Sequence, residues 1–334
     1  MATLADVARA AGVSKATASR ALAGRQVAQQ TRERVLAAAR RLDYVASPAA
    51  VSLATGKSGM IAAIVPSLDT WFTATLIDGI AEAALDRDFD VVLYGLGERG
   101  TLRQRAFEHF QRRKHVDAVF SGNFALTTGE IEQLRDLNVP VAGIGAAAEG
   151  IRTWCLDDVA AGRAATDHLI GLGHREIVFA GGRRETDLSL YIAEDSRHRG
   201  YAESLAAAGL AVRPALHVEP NFNAAYAEGL RLFRSAEPPR ALYAATDDIA
   251  MGLILAARDA GLAIPADLSI VGTDDQRLAE PFGLTTLRQD PAAQGGEIMR
   301  WLAREIETPS RDRSHTRVLP ELIVRGTTAA PTPR

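Results

Sequence analysis

The chain has 334 residues, 47% hydrophobic and 24% charged, with a formal net charge of −3. That length accommodates two or three domains with sizeable cores, while no apolar run approaches the ~20 residues of a membrane-spanning helix and a lone cysteine, Cys155, excludes an internal disulfide and a cysteine-rich metal site. Charge is unevenly placed: residues 1–57 hold nine lysines and arginines against three acids, a net of +6 that leaves −9 for the remainder, as suits a head that meets phosphates on an acidic body.

Two short helices open the chain. Thr3 is an N-cap, Asp6 sits in the first turn, and Leu4, Val7, Ala8 and Ala11 recur at helical spacing. Gly12 suits a left-handed helix end. Ser14 then caps a second helix with Ala18, Ala21 and Leu22 on its apolar stripe. A link of about three residues with a glycine allows the sharp angle of a helix-turn-helix. In a major-groove reader the early residues of the second helix reach base edges. Lys15 would reach guanine or a phosphate, Arg20 would bridge guanine O6 and N7, and Thr17 and Ser19 would serve phosphates. The alternative is a surface helical hairpin with solvated charges.

The pattern Thr3-Leu4-x-Asp6-Val7-Ala8-x-x-Ala11-Gly12-Val13-Ser14-x-x-Thr17-x-Ser19-Arg20-x-Leu22 resembles the DNA-binding headpiece of the lactose-repressor (LacI/GalR) family of bacterial regulators. The resemblance implies double-stranded operator DNA as partner. It assigns residues 1–46 to DNA binding, with Thr3, Leu4, Ser14, Lys15, Ala16, Thr17, Ser19 and Arg20 at the interface.

Gly24 to Gln30 reads as a loop, and Thr31–Leu42 as a third helix with Val35, Leu36, Ala39 and Leu42 on one face. Residues 47–59 form a linker in which Ser47-Pro48 reads as N-cap plus N1 of a short helix to Thr55. The resemblance makes this a hinge helix that orders on DNA and places Leu53 in the minor groove, where apolar wedges kink a duplex. Ala46-Ser47 replaces the family's Pro-Asn pair and Val51 its arginine, which implies a weaker hinge or a different central step. Leu53 could instead pack the linker against a dimer mate. Thr55-Gly56-Lys57-Ser58 looks like the end of a phosphate-binding loop, but Val51 occupies the leading glycine's place and no strand precedes it.

From Met60 short β runs alternate with amphipathic helices: strands at 60–65, 91–94, 116–120, 139–144, 176–180, 241–245 and 268–271, helices at 76–85, 160–172, 199–208, 249–260 and 295–306. Such alternation implies an α/β fold of parallel sheets covered on both faces, and its length implies two lobes. By resemblance residues 60–334 form a two-lobed core like periplasmic sugar-binding proteins, for effector binding and dimerisation. The matching motifs are Asp157-Asp158 with Gly162, Leu172-Gly173-His174, Asp247 with Met251-Gly252, Val271–Asp275 and Leu284–Gln289.

No catalytic motif appears, so an enzyme is not expected, and neither cofactor nor metal is expected. Gly95-x-Gly97-x-x-Gly100 has a dinucleotide fingerprint's pattern, but Asp117 lies at the start of its strand, where a ribose ligand should lie at the end. It reads as a β-to-α turn. His174 reads as a helix-end residue bonding the last carbonyls. Ligands of open α/β sheets lie beyond the strands' carboxyl ends. Asp69, Trp71, Phe72 and Thr73 follow the first strand; the aromatics would stack on a ligand or staple the core. Arg197 matches a family arginine that grips the effector, unless it is a surface ion pair. Phe222 matches a stacking aromatic, Thr246-Asp247 an Asn-Asp pair, and Asp274 an acceptor for ligand hydroxyls. Gly145 stands where a sugar-contacting acid is common. The reading is a cytoplasmic homodimeric repressor, controlled by a sugar or sugar derivative. The alternatives are a non-sugar corepressor or a transporter's solute-binding protein.

Overall fold

The computed structural model describes residues 2–22, 24, 26–44, 52, 56–96, 103–108, 116–122, 124, 126–145, 150–182, 192–310 and 312–332. Leu53 and the Pro48–Thr55 hinge helix, apart from Ser52, lie outside them, as do Gly97 and Gly100.

Helices α1 (Leu4–Ala11), α2 (Lys15–Leu22) and α3 (Gln29–Arg41) form the headpiece. Thr3 and Asp6 close a reciprocal capping box: Thr3 Oγ1 accepts from the Asp6 N–H at 3.3 Å and the Asp6 carboxylate accepts from the Thr3 N–H at 3.0 Å. Gly12 ends α1 at φ 64°, and Ser14 Oγ accepts from the Thr17 N–H at 3.1 Å to start α2. The core is alanine-rich: Val7, Ala8, Ala11, Ala18, Ala21, Val35, Ala38 and Ala39 are buried together. α3 begins two residues before the expected position. Leu36 points outward at 39% exposure and Ala38 takes the core place expected of it. Small residues let three short helices approach closely.

The first lobe runs through β1 (Met60–Val65), α4 (Trp71–Leu85), β2 (Asp90–Gly95), β3 (Ala118–Gly122), α5 (Thr128–Asp136), β4 (Val141–Ile144) and β5 (Arg152–Leu156). The second runs through α6 (Asp158–Gly171), β6 (Val178–Ala180), α7 (Ile192–Ala207), α8 (Phe222–Phe233), β7 (Ala241–Ala244), α9 (Asp247–Asp259), β8 (Ser269–Asp274) and β9 (Thr285–Arg288). The chain then returns to the first lobe as α10 (Pro291–Glu307) and β10 (His315–Val318), and ends in the second with β11 (Glu321–Ile323). The first sheet is parallel throughout, in the order β10-β5-β4-β3-β1-β2. The second has the order β11-β9-β8-β7-β6, with only β11 antiparallel. Three short crossovers, at 156–158, 288–291 and 318–321, join the lobes.

Both faces of each sheet are buried at its central strands, as parallel sheets require. Three helix pairs cross at glycines: Gly79 on α4 with Gly295 on α10, Gly162 on α6 with Gly200 on α7, and Gly252 on α9 beneath α8. Asp117 is a clamp. Its Oδ1 accepts from the Ser58 N–H (2.8 Å) and hydroxyl (3.0 Å), and its Oδ2 from the Gly59 N–H (2.8 Å), tying the incoming linker to β3. His174 corrects another expectation. Its ring Nε2 lies 2.9 Å from the Ala329 carbonyl and 3.0 Å from Ser269 Oγ, so it holds the C-terminal segment rather than its own helix end. Cys155 is buried on β5, where its thiol donates to the Thr316 carbonyl at 3.7 Å.

Candidate functional site

A cleft of about 260 Å³ lies between the lobes. Its walls come from beyond the carboxyl ends of β1, β4, β5, β7, β8 and β9 and from the start of α7, where ligands of open α/β sheets bind. Five helices begin near its walls with a side-chain cap: Thr70 on α4, Asp157 on α6, Asn221 on α8, Thr246 on α9 and Asp290 on α10. Their N-terminal partial positive charges help hold acids there.

The first lobe contributes Asp69, Trp71, Phe72 and Thr73 to the lining. Phe72 lines the cleft and also packs against the lobe core. Thr73 is 2% exposed and its Oγ1 accepts from the Thr70 hydroxyl at 2.9 Å. Gly145 lines the wall without a side chain.

From the second lobe come Arg197, Thr246 and Asp274. Arg197 is no surface ion pair. It is 5% exposed, its Nε donates to Asp158 at 2.9 Å and its Nη1 to the Ala245 carbonyl at 2.6 Å. Burial opposes its charge, and Asp158 with Asp274 more than restores it. Burial likewise pushes the Asp158 carboxyl up against the pull of Arg197. Asp274 ends β8 at φ 136° and accepts from Gln289 Nε2 at 2.5 Å. Burial raises its pKa, against Arg197 and Gln289.

Two expected residues stand outside the lining. Phe222 packs against the second lobe's core while the preceding Glu219, Pro220 and Asn221 face the cleft. Asp247 is fully buried: its Oδ1 accepts from Thr286 Oγ1 at 2.6 Å and its Oδ2 from the Gln276 N–H at 3.0 Å. It braces the loop that carries Asp274, and its neighbour Asp248 faces the cleft. Burial, then repulsion from Asp274, drives the Asp247 carboxyl upward. Gly272 makes room for it, because a Cβ there would lie 2.2 Å from Asp247 Oδ1.

Sequence reasoning missed Asp158, Glu194, Gln289 and Gln294 as lining residues. Asp158 and Gln289 lay in the motifs but carried no assigned role. Glu194 and Gln294 had no local signal. Glu194 is 6% exposed, accepts from the Gly182 N–H, and is pushed up to about 7 by burial.

In the headpiece, Ser14, Lys15, Ala16 and Arg20 form an exposed face of α2. Thr17 is half-buried, its Oγ1 2.9 Å from Ser14 Oγ, and Arg20 Nε donates weakly to the Ala16 carbonyl at 3.4 Å. Thr3 is exposed and Leu4 half-buried at the start of α1; Ser19 is half-buried. Among the described residues no helix is long and apolar enough to cross a membrane.

Two family descriptions match the chain: bacterial regulatory proteins of the lacI family over residues 3–47, and a periplasmic binding protein-like domain over residues 166–328. Catabolite control protein A of Priestia megaterium is 30% identical, the match covering 93% of this chain and 95% of that one. The HTH-type transcriptional regulator MalR of Streptomyces coelicolor is 32% identical, covering 98% and 96%. Among solved structures, the transcriptional regulator CelR–cellobiose complex is 27% identical with a TM-score of 0.70, covering 98% of this chain and 100% of that one. The lac repressor dimer bound to operator and the anti-inducer ONPF shares the fold, at 24% identity and a TM-score of 0.86, covering 98% and 99%.

Proposed function

The chain belongs to the lacI family of bacterial regulatory proteins and is a DNA-binding transcriptional regulator; from that premise we propose that it is a homodimeric repressor whose operator affinity is set by a sugar or sugar derivative in the interlobe cleft. The observation that carries the effector assignment is the buried Arg197, held between Asp158 and the Ala245 carbonyl on the cleft wall. Beside it Asp274 supplies an acceptor, Gln289 an amide, and Trp71 with Phe72 flat apolar faces. Paired hydroxyls on an apolar ring face need that combination. The complex of CelR with cellobiose supports the class.

In this proposal residues 1–46 read DNA, 47–59 couple, and 60–334 bind effector and dimerise. Lys15 reaches guanine or a phosphate, Arg20 reads guanine, Thr17 and Ser19 serve phosphates, Thr3, Leu4, Ser14 and Ala16 lie at the same interface, and two headpieces read two half-sites of a near-palindrome in the cytoplasm. Leu53 is the minor-groove wedge. Fluorescence anisotropy on the gene's own upstream DNA, with and without a sugar panel, tests the reading. Preference for that fragment over random DNA, altered by a panel member, is the expected result. Equal affinity for both DNAs under all conditions would sink the proposal.

A further inference from the structure

Donors and acceptors are out of balance among the described residues that line the cleft. Six carboxylates line it, from Asp69, Asp158, Glu194, Glu219, Asp248 and Asp274, while Arg197 is the sole cation among the described lining residues. That guanidinium is already engaged by Asp158 and the Ala245 carbonyl, and the Gln289 amide by Asp274. Asp69 and Glu219 are exposed and Asp248 accepts from Gln276 Nε2 at 2.8 Å, so it is at the buried carboxylates that a missing donor is costly.

Glu194 locates the greatest need. It sits on the first turn of α7, 6% exposed, and lines the cleft. The Gly182 N–H is its one hydrogen-bond donor among the described residues, and none of their cations lies within ion-pair distance. Across the cleft the exposed Asp69 carboxylate has no bonded partner among the described residues either. Glu194 from the second lobe and Asp69 from the first thus both face the cleft with no ion pair among the described residues.

We propose that the effector carries a protonated amine on a hydroxyl-rich, sugar-sized body, with Glu194 as the amine's counter-ion and Asp69 meeting it from the opposite lobe. The proposal rests on the cleft being the effector site. A charge-assisted hydrogen bond from the amine satisfies Glu194, and hydroxyls use Asp274, Gln289 and Gln294. A carboxylate or phosphate on the ligand would add like charge to this wall.

The test is a calorimetric panel on the full-length protein: glucosamine, galactosamine and mannosamine, each beside its parent hexose and the matching uronate, at a pH where the amines are protonated. At least one hexosamine should bind about tenfold more tightly than its hexose, and the uronate more weakly than either. Glu194→Gln should bring the amine and hexose affinities together, and Asp69→Asn, at an exposed position, should narrow the gap in the same direction. A hexose that binds as tightly as its amine, or a uronate that binds more tightly, overturns the amine while leaving a sugar effector standing. A panel silent throughout, with operator binding intact, overturns the hydroxyl-rich effector as well.

Discussion

Arg197 is held from below by a helix crossing, and that crossing can be perturbed one methyl at a time. A Cβ on Gly162 of α6 would lie 2.0 Å from the Arg197 carbonyl oxygen, and one on Gly200 of α7 would lie 2.1 Å from the Val159 carbonyl oxygen. Ordinary contact begins near 3.4 Å, so in either variant the two backbones must separate by more than an ångström. Overpacking of this type costs about 1–3 kcal/mol. Separation also stretches the buried 2.9 Å pair between Asp158 on α6 and Arg197 on α7, and breaking such a pair costs about 3–5 kcal/mol. Gly162→Ala should therefore lose roughly 3 kcal/mol or more, which is about 6 °C or more in Tm for a domain of this size. It should also weaken effector binding, because the guanidinium moves. Gly171 supplies the control on the same helix: it is exposed, and a methyl added there would meet nothing within 4 Å, so Gly171→Ala should gain up to about 1 kcal/mol from helix propensity. Thermal and urea unfolding of the three variants decides the matter. A Gly162→Ala protein that melts within about 2 °C of wild type would refute the reasoning.

Two further predictions concern charge. Lys15→Ala and Arg20→Ala should each weaken specific operator binding by about 1–3 kcal/mol if they read bases, with little change on random DNA; a phosphate contact would instead lower affinity on both and reduce the salt slope by about one. Anisotropy at two salt concentrations separates these, and no loss in either variant would remove both residues from the interface. Glu194 titrates at about 7 in the fold against a usual 4.5, with burial raising it, Arg197 attracting its charge, and Asp195 and Asp274 repelling it. A raised carboxyl stabilises the fold while protonated, so that contribution is full below pH ~4.5 and is lost as pH rises through about 7. Between pH 5 and 8 wild type should lose about 2–3 kcal/mol more stability than Glu194→Gln; parallel pH profiles for the two would show that burial is not what perturbs this group.

The elements legible in the sequence were those with strong local signals. The capping box at Thr3, Gly12 at the left-handed helix end and the apolar runs of β1 and β7 all sit where their residues direct. What escaped reading depends on distant partners. β5 begins with Arg152, whose guanidinium lies 4.2 Å over the Trp154 ring, and mixed runs of this kind carry no alternation. β10 and β11 are short edge strands with exposed positions, recruited by β5 and β9. α8 is the exception, missed although its signals are local: the Asn221 side chain accepts from the Ala224 N–H at 2.9 Å and one side of the helix is apolar and meets α9. In the cleft, residues directly after strands were legible by rule. Asp247 and Asp248 differ by one residue and so by a large rotation about α9, which buries the first and exposes the second to the cleft. Glu194 depends on Gly182 twelve residues earlier, and Gln294 arrives with a helix that returns from the other lobe.

The crossovers suggest how a cleft ligand would reach the headpiece. Leu156, Asp158 and Gln289 lie at two of the three crossovers and also line the cleft, so a ligand there would lie against the segments that join the lobes. Its only lever is a difference in affinity between lobe arrangements. Between the first lobe and the linker stands Asp117, just ahead of β3, which grips Ser58 and Gly59 with three hydrogen bonds. An asparagine there keeps one acceptor oxygen and turns the other into a donor facing an N–H. Asp117→Asn should therefore leave cleft binding of a hexose or hexosamine unchanged by calorimetry while reducing its effect on operator affinity. Coupling in such systems spans about 5–150-fold, and the variant should bring it toward unity. If the same sugar changes operator affinity equally in wild type and Asp117→Asn, the signal does not pass through this clamp.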